Sequence, residues 1–216
     1  SKENRIKAKA EAASALLCLS AGQPVTQKAV AEGGRSMVLE CALVVDETGA
    51  HEMREFASLA ELPRQDADAR VTVRVTHSTI NYKDGLCLNG LGRLVRNYPH
   101  VPGIDLAGTV ISSRADGIAA GDRVTMNGFR SGEIRWGGYA TRANGKAEWI
   151  VKLPDGMSTR HSQMLGTAGF TAMQSILRLE ENGMMPDGGE VLVTGAGGGV
   201  GSVATVLLAK RGYQVA

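Results

Sequence analysis

The run Val191-Leu-Val-Thr-Gly-Ala-Gly-Gly-Gly-Val-Gly-Ser202 constrains this chain more than any other stretch. A short apolar strand over 191–195 runs into a glycine turn, and the turn opens a helix expected over 203–211. Tyr213-Gln-Val-Ala216 then begins a second strand. Strand, glycine turn, helix and strand in that order form the first half of a dinucleotide-binding unit. Glycines let the backbone turn sharply and approach a pyrophosphate, and the helix N-terminus offers free N–H groups and a partial positive charge. The G-x-G-x-x-G spacing is met as Ala196-x-Gly198-x-x-Gly201, with alanine in place of the first glycine. A complete doubly wound fold needs about six strands. This sequence stops as the second begins, so it is expected either to be a fragment or to take its remaining strands from elsewhere.

The rest of the composition narrows the class. The chain has 216 residues, room for one large domain or two small ones. Its 28 glycines are roughly twice average usage and imply many tight turns between short strands. The net charge is only +2, and no basic block suggests nucleic acid. No apolar run approaches the roughly 20 residues that span a bilayer. Three scattered cysteines, Cys18, Cys41 and Cys87, make neither a disulfide framework nor a zinc knuckle. With no visible signal peptide, a cytoplasmic protein is expected.

Three segments are expected. Residues 1–36 form an N-terminal extension, linker or tag-like piece. It has a helix-forming stretch over 2–19 and the linker-like Gly33-Gly-Arg-Ser36, and it carries a net charge of +3. Residues 37–158 are β-rich. Strand candidates lie at 38–45, 70–77, 108–111, 123–126, 139–143 and 149–153, with period-2 alternation clearest in Arg70-Val-Thr-Val-Arg-Val-Thr-His77. That spacing suggests a compact barrel. From 159 the pattern turns helical. Ser158 is placed to cap 159–165, and 169–181 carries Ala172, Ile176 and Leu179 on one side.

Four further runs carry chemistry: Ser78-Thr-Ile-Asn-Tyr-Lys-Asp84, Val101-Pro-Gly-Ile-Asp-Leu-Ala-Gly-Thr-Val110, Trp136-Gly-Gly-Tyr-Ala140 and Gly166-Thr-Ala-Gly-Phe-Thr-Ala172. With the glycine loop, their order resembles the medium-chain dehydrogenase/reductase superfamily from Met37 to Ala216. The resemblance implies an α/β chain in which a GroES-like β-barrel catalytic domain precedes the start of a Rossmann doubly wound domain, apparently truncated. Zinc members of that superfamily place a Gly-His-Glu motif where this chain reads Gly103-Ile104-Asp105. Ile104 cannot bind a metal, and three or four converging thiolate, imidazole or carboxylate ligands are not in place. The chain is therefore similar to the zinc-free quinone oxidoreductase and enoyl reductase branch, and no metal is expected. The runs Asn81-Tyr-Lys-Asp-Gly85, Gly92-Arg-Leu-Val-Arg-Asn-Tyr-Pro99, Asn127-Gly-Phe-Arg-Ser-Gly-Glu133 and Glu190-Val-Leu-Val-Thr-Gly195 are similar to the acryloyl-CoA reductases within it.

That resemblance implies transfer of hydride from NADPH to the C=C bond of an acyl-CoA enone, the cofactor supplying the hydride and the protein positioning and polarising the substrate. A generic quinone or enone reductase, and a fragment that folds without catalysing, stay open beside it. Tyr82 is the leading site residue, either donating a hydrogen bond or proton in the cleft or packing under the cofactor. Cofactor-binding positions are Tyr82, Thr167, Gly197, Gly198, Gly199 and Val200, although a helix cap explains Thr167 as well. Arg93 and Arg96 either meet the CoA phosphates or are solvated surface arginines. Asp105 is expected to hydrogen-bond structure. His51, His77, His100 and His161 share no ligand spacing, and Cys87 has no evident base beside it. An acyl-CoA is the expected partner, with a homodimer open in a longer protein. The choice of NADPH over NADH rests on resemblance alone.

Overall fold

Alternation of apolar and polar residues makes 71–77 a half-buried strand, and the sheet grows outward from it. The computed structural model describes residues 30–32, 35–37, 40–56 and 68–216. The helix expected over 2–19 lies outside these residues. In chain order the strands are β1 (Val30–Glu32), β2 (Arg35–Met37), β3 (Glu40–Val45), β4 (His51–Phe56), β5 (Val71–His77), β6 (Asp105–Ser113), β7 (Arg123–Asn127), β8 (Arg142–Gly145) and β9 (Val151–Lys152). The helices are α1 (Tyr82–Leu88), α2 (Thr159–Glu181) and α3 (Gly199–Lys210). The chain divides into two compact units, Ser1–Gln163 and Met164–Ala216.

In the first unit, β8-β5-β6-β7-β9 form one antiparallel sheet. Val71 and Val73 point from β5 into a core shared with Leu106, Val110, Val124 and Met126, all nearly free of solvent. Each such side chain contributes about 1.5–3 kcal/mol by burial. A second core gathers Leu43, Val44, Val45, Leu88, Val101 and Tyr139 under the β3–β4 hairpin. The hairpin joins the rest through His100, which exchanges both backbone hydrogen bonds with Val45 at 2.8 and 2.9 Å, and through Tyr139–Thr141.

Several expected strands shift. The stretch 139–143 is split between two partners. Tyr139 O and Thr141 N pair with β3, whereas Arg142–Gly145 pair with β5. This change of partner turns a corner, so no single strand runs through it. Residues 149–153 begin as a 3-10 turn, Ala147–Trp149, before the short β9. The return strand β4 was not anticipated, because the Asp46-Glu-Thr-Gly49 turn shows no strong apolar alternation after it. Of the expected linker Gly33-Gly-Arg-Ser36, Arg35 and Ser36 belong to β2, which pairs antiparallel with β1.

In the second unit, Val191 and Val215 form a parallel bridge across α3, giving the expected βαβ order. Val191 N–H and Val193 N–H donate to Gln214 O and Ala216 O at 2.8 and 2.9 Å. Ile176, Leu208 and Tyr213 make its core. The Ser158 cap forms, since His161 N–H donates to Ser158 Oγ at 3.1 Å. The helical run breaks at Gly166, whose φ of 51° and ψ of −159° lie outside the helical region. Ala172 and Ile176 are buried as expected, but Leu179 is 50 % exposed. Its neighbour Glu180 binds Arg211 and Tyr213.

Candidate functional site

The short helix α1 opens the site in the first unit. The run Asn81–Asp84 is a capped helix start. Asn81 is the N-cap, in extended conformation, and Asp84 stands at the third helical position. The Asp84 carboxylate reaches back and accepts the Asn81 backbone N–H at 2.8 Å. The Asn-x-x-Asp spacing was the available signal.

Asp84 does more than cap. It is fully buried, and its second oxygen accepts the Ile104 backbone N–H at 2.9 Å. Asn81 Nδ2 donates to Asp105 Oδ2 at 2.9 Å, and Asp105 is likewise fully buried. Ser78 Oγ donates to Asp105 O at 2.6 Å, and Tyr139 Oη to Thr79 O at 3.2 Å. Asp105 thus takes the structural role expected of it. Burial pushes the Asp84 carboxyl up to about 6 against the pull of its backbone donors. Burial also raises the Tyr139 phenol, with the Asp84 charge adding to it, and pushes the Cys87 thiol up to about 12. Cys87 is therefore an inert core thiol. Gly103 holds the turn before Ile104 at φ 105°, where a Cβ would sit 2.7 Å from Gly138 N and from Tyr139. A side chain there is excluded twice over, by the left-handed backbone and by space.

Tyr82, the first residue of α1, is 59 % exposed above this network. Its neighbour Lys83 donates to Glu133 Oε1 at 2.8 Å, and Glu133 is buried but for 8 % of its side chain. Arg93 and Arg96 lie exposed on the loop after α1, and Arg93 adopts a left-handed backbone with φ 50°. Such a conformation is uncommon for a side chain of this size. The Lys83–Glu133 pair and the Asp84–Ile104 bond went unread in the sequence, since both join residues 20 or more apart. Among the described residues no group of three or more His, Cys, Asp or Glu is placed to hold a metal ion.

The second unit carries the glycine turn. Gly195 turns at φ 67°, Gly198 N–H donates to Gly195 O at 2.9 Å, and α3 starts at Gly199, four residues earlier than expected. Glycines hid this first turn because they are poor helix formers. They are used here for space: a Cβ on Gly201 would collide with Gly195 O and lie 2.8 Å from Ala196 Cα. Gly197, Gly198, Gly199 and Val200 are exposed, and Gly197 has open space around it. Ser202 N–H is bonded back to Gly198 O at 2.9 Å, so the amides of Gly199, Val200 and Gly201 precede it in the opening turn. Thr167 follows the Gly166 break, and its neighbour Ala168 lies 3.2 Å from where a Gly199 Cβ would be. Thr167 and 197–200 lie in one unit, where Ala168 approaches Gly199, and Tyr82, Arg93 and Arg96 are carried by the other.

Residues 67–155 match the alcohol dehydrogenase GroES-like domain. The acrylyl-CoA reductase AcuI of Ruegeria pomeroyi is 52% identical over 179 residues, covering 81% of this chain and 53% of that protein. The chain belongs to the medium-chain dehydrogenase/reductase superfamily. The putative quinone oxidoreductase YhfP of Bacillus subtilis is 46% identical over 158 residues, 73% of this chain and 47% of that one. Among solved structures, the yhdH oxidoreductase of Salmonella enterica in complex with NADP superposes with a TM-score of 0.76 at 44% identity, over 82% of this chain and 53% of that one. The chain spans about half the length of the curated relatives it matches. Within this superfamily the β-sheet unit is the GroES-like domain, and the βαβ unit is the beginning of the Rossmann domain.

Proposed function

We propose that this chain belongs to an NADPH-dependent reductase of the C=C bond in acryloyl-CoA, giving propionyl-CoA. The observation that carries the reading is the 52% identity to a protein named acrylyl-CoA reductase, maintained over 81% of the chain. A second support is the zinc-less Gly103-Ile104-Asp105 turn, fixed by Asp84 where a metal-dependent relative would need a ligand.

The residues present fit a dinucleotide. Positions 197–199 bear no side chains, and Gly201 packs too closely on Gly195 to carry one. We assign the opening amides of α3 and its positive dipole end to the pyrophosphate, and Thr167 to the cofactor side of the same unit. Bound NADPH supplies the hydride that the β carbon of the enone accepts. The chain's own work is to hold the acyl-CoA and manage the charge that develops on the thioester oxygen. The Tyr82 phenol is exposed on a fixed helix start and supplies a hydrogen bond or proton there. Arg93 and Arg96 take the CoA phosphates, which guanidinium groups bind in fork geometry. We assign the acyl-CoA, and no nucleic acid, as the partner.

The test is a fluorescence titration of the purified chain with NADPH, followed by NADPH oxidation with acryloyl-CoA, a quinone and a simple enone. Saturable binding and a clear preference for acryloyl-CoA are expected. Preference for the quinone would overturn the substrate in favour of the quinone-reductase reading. Absence of NADPH binding would overturn the catalytic reading and leave a chain that folds without catalysing.

A further inference from the structure

Four consecutive residues, Asn81 to Asp84, are treated differently by the fold. Asn81 is tied to Asp105 at the start of β6, Lys83 to Glu133 in the loop before Trp136, and Asp84 to the amide of Ile104. Tyr82 and Lys83 are both exposed, Lys83 while held by Glu133. A carboxylate at the third position of a short helix ordinarily caps it from the surface, in water. Asp84 caps it from full burial, which costs desolvation free energy and is sustained only because both oxygens are bonded. One oxygen holds the first turn of α1, and the other holds the Gly103–Ile104 turn. The two segments are therefore clamped by a single planar group. The planarity matters, since fixing both N–H directions fixes the rotation of α1 about its own axis, and with it the direction in which residue 82 leaves the helix.

We infer that Asp84 is a positioning residue: its carboxylate clamps Asn81 N–H and Ile104 N–H together and thereby sets the orientation of the Tyr82 side chain. The consequence for turnover rests on the reading of Tyr82 as a site residue; the consequence for Tyr82 itself does not. The adjoining Asn81–Asp105 bond is the second half of the clamp. The Lys83–Glu133 pair guides α1 from its exposed side.

The experiment is fluorine NMR of the chain labelled with 3-fluorotyrosine. Its four tyrosines give few resonances, and Tyr82→Phe assigns the one of interest. Asp84→Asn keeps size and one acceptor oxygen, but its NH2 faces one of the two N–H donors and opens that side of the clamp. The Tyr82 resonance is expected to move toward the position of free 3-fluorotyrosine and narrow, while Tyr213, in the other unit, stays in place. Should Asp84→Asn disturb Tyr213 as well, Asn81→Ser is measured instead. It puts a serine hydroxyl at the N-cap in place of the carboxamide and removes the Asn81 Nδ2 bond to Asp105, and the same change at Tyr82 is expected. An unchanged Tyr82 resonance in a folded variant overturns the inference. In turnover, the loosened variant is expected to lose about 10–100-fold in kcat with KM for NADPH held within about twofold, the signature of misplacement rather than lost binding. If Tyr82→Phe leaves turnover unaltered, the functional reading of Tyr82 fails, and the NMR result still decides the clamp.

Discussion

Gly201→Ala separates a glycine that exists for space from one that exists for flexibility. Position 201 lies inside α3, where alanine is favoured over glycine by about 1 kcal/mol. On helix propensity alone the variant gains stability. The added methyl, however, meets Gly195 O, Gly195 C and Ala196 Cα, all backbone, the last two at 2.8 Å. Backbone of the turn cannot swing aside as a side-chain tip can, so α3 must shift away from the 191–195 segment. Such overpacking costs typically about 1–3 kcal/mol, and more where backbone must move. Because every clashing atom is backbone, the cost falls at the upper end, about 2–3 kcal/mol, and exceeds the propensity gain by about 1–2 kcal/mol, a fall of roughly 2–8 °C in Tm for a chain of this size. Gly197→Ala is the control, because a Cβ there meets nothing within 4 Å. Thermal unfolding followed by far-ultraviolet circular dichroism measures both. A Gly201→Ala chain as stable as the wild type, or more so, would refute the packing argument.

Other consequences are as direct. Ile176→Ala removes the central side chain of the second unit's core and should cost about 2–5 kcal/mol in denaturant unfolding, where a change under 1 kcal/mol would mean the core closes over the gap. Asp84 has a folded-state carboxyl raised from 3.8 to about 6, so the folded chain holds a proton that the unfolded chain has released across that interval. Its contribution to stability is therefore lost as pH rises from about 4 to about 6, and the stability difference between wild type and Asp84→Asn should change across that window and be flat above it. The buried Cys87 thiol should resist alkylation at pH 7.5 in the folded chain and react promptly once the chain is unfolded, as read by site-resolved mass spectrometry. Glu180→Gln should lower the Tm, with the difference narrowing at high salt, because its partner Arg211 is exposed.

The parts of the fold readable in the sequence are those governed by local rules. Alternation marked β5, the Ser158 hydroxyl marked the start of α2, and the glycine run with apolar flanks marked the βαβ turn. Elements set by distant partners were less legible. The run 139–143 changes partner part-way along, and the choice depends on Cys41 and Val75, far off in sequence. The site divides in the same way. Gly197 to Val200 were legible as a candidate because phosphate-binding turns are built from neighbouring residues. Tyr82 became a candidate through family resemblance, and the bonds that position its helix were not legible. Asp84, Ile104, Asp105 and Glu133 converge on α1 only after β6 and its following loops have folded. Leu179 shows the opposite case: apolar spacing groups it with Ala172 and Ile176, yet it is exposed.

The most direct test of the proposed chemistry follows the transferred atom. The chain is incubated with acryloyl-CoA and NADPH carrying deuterium at the transferable C4 position, and the product is analysed by mass spectrometry and proton NMR. The account predicts propionyl-CoA one mass unit heavier, with deuterium on the β carbon. NADPH consumed without labelled propionyl-CoA, or label found on the α carbon, would contradict it.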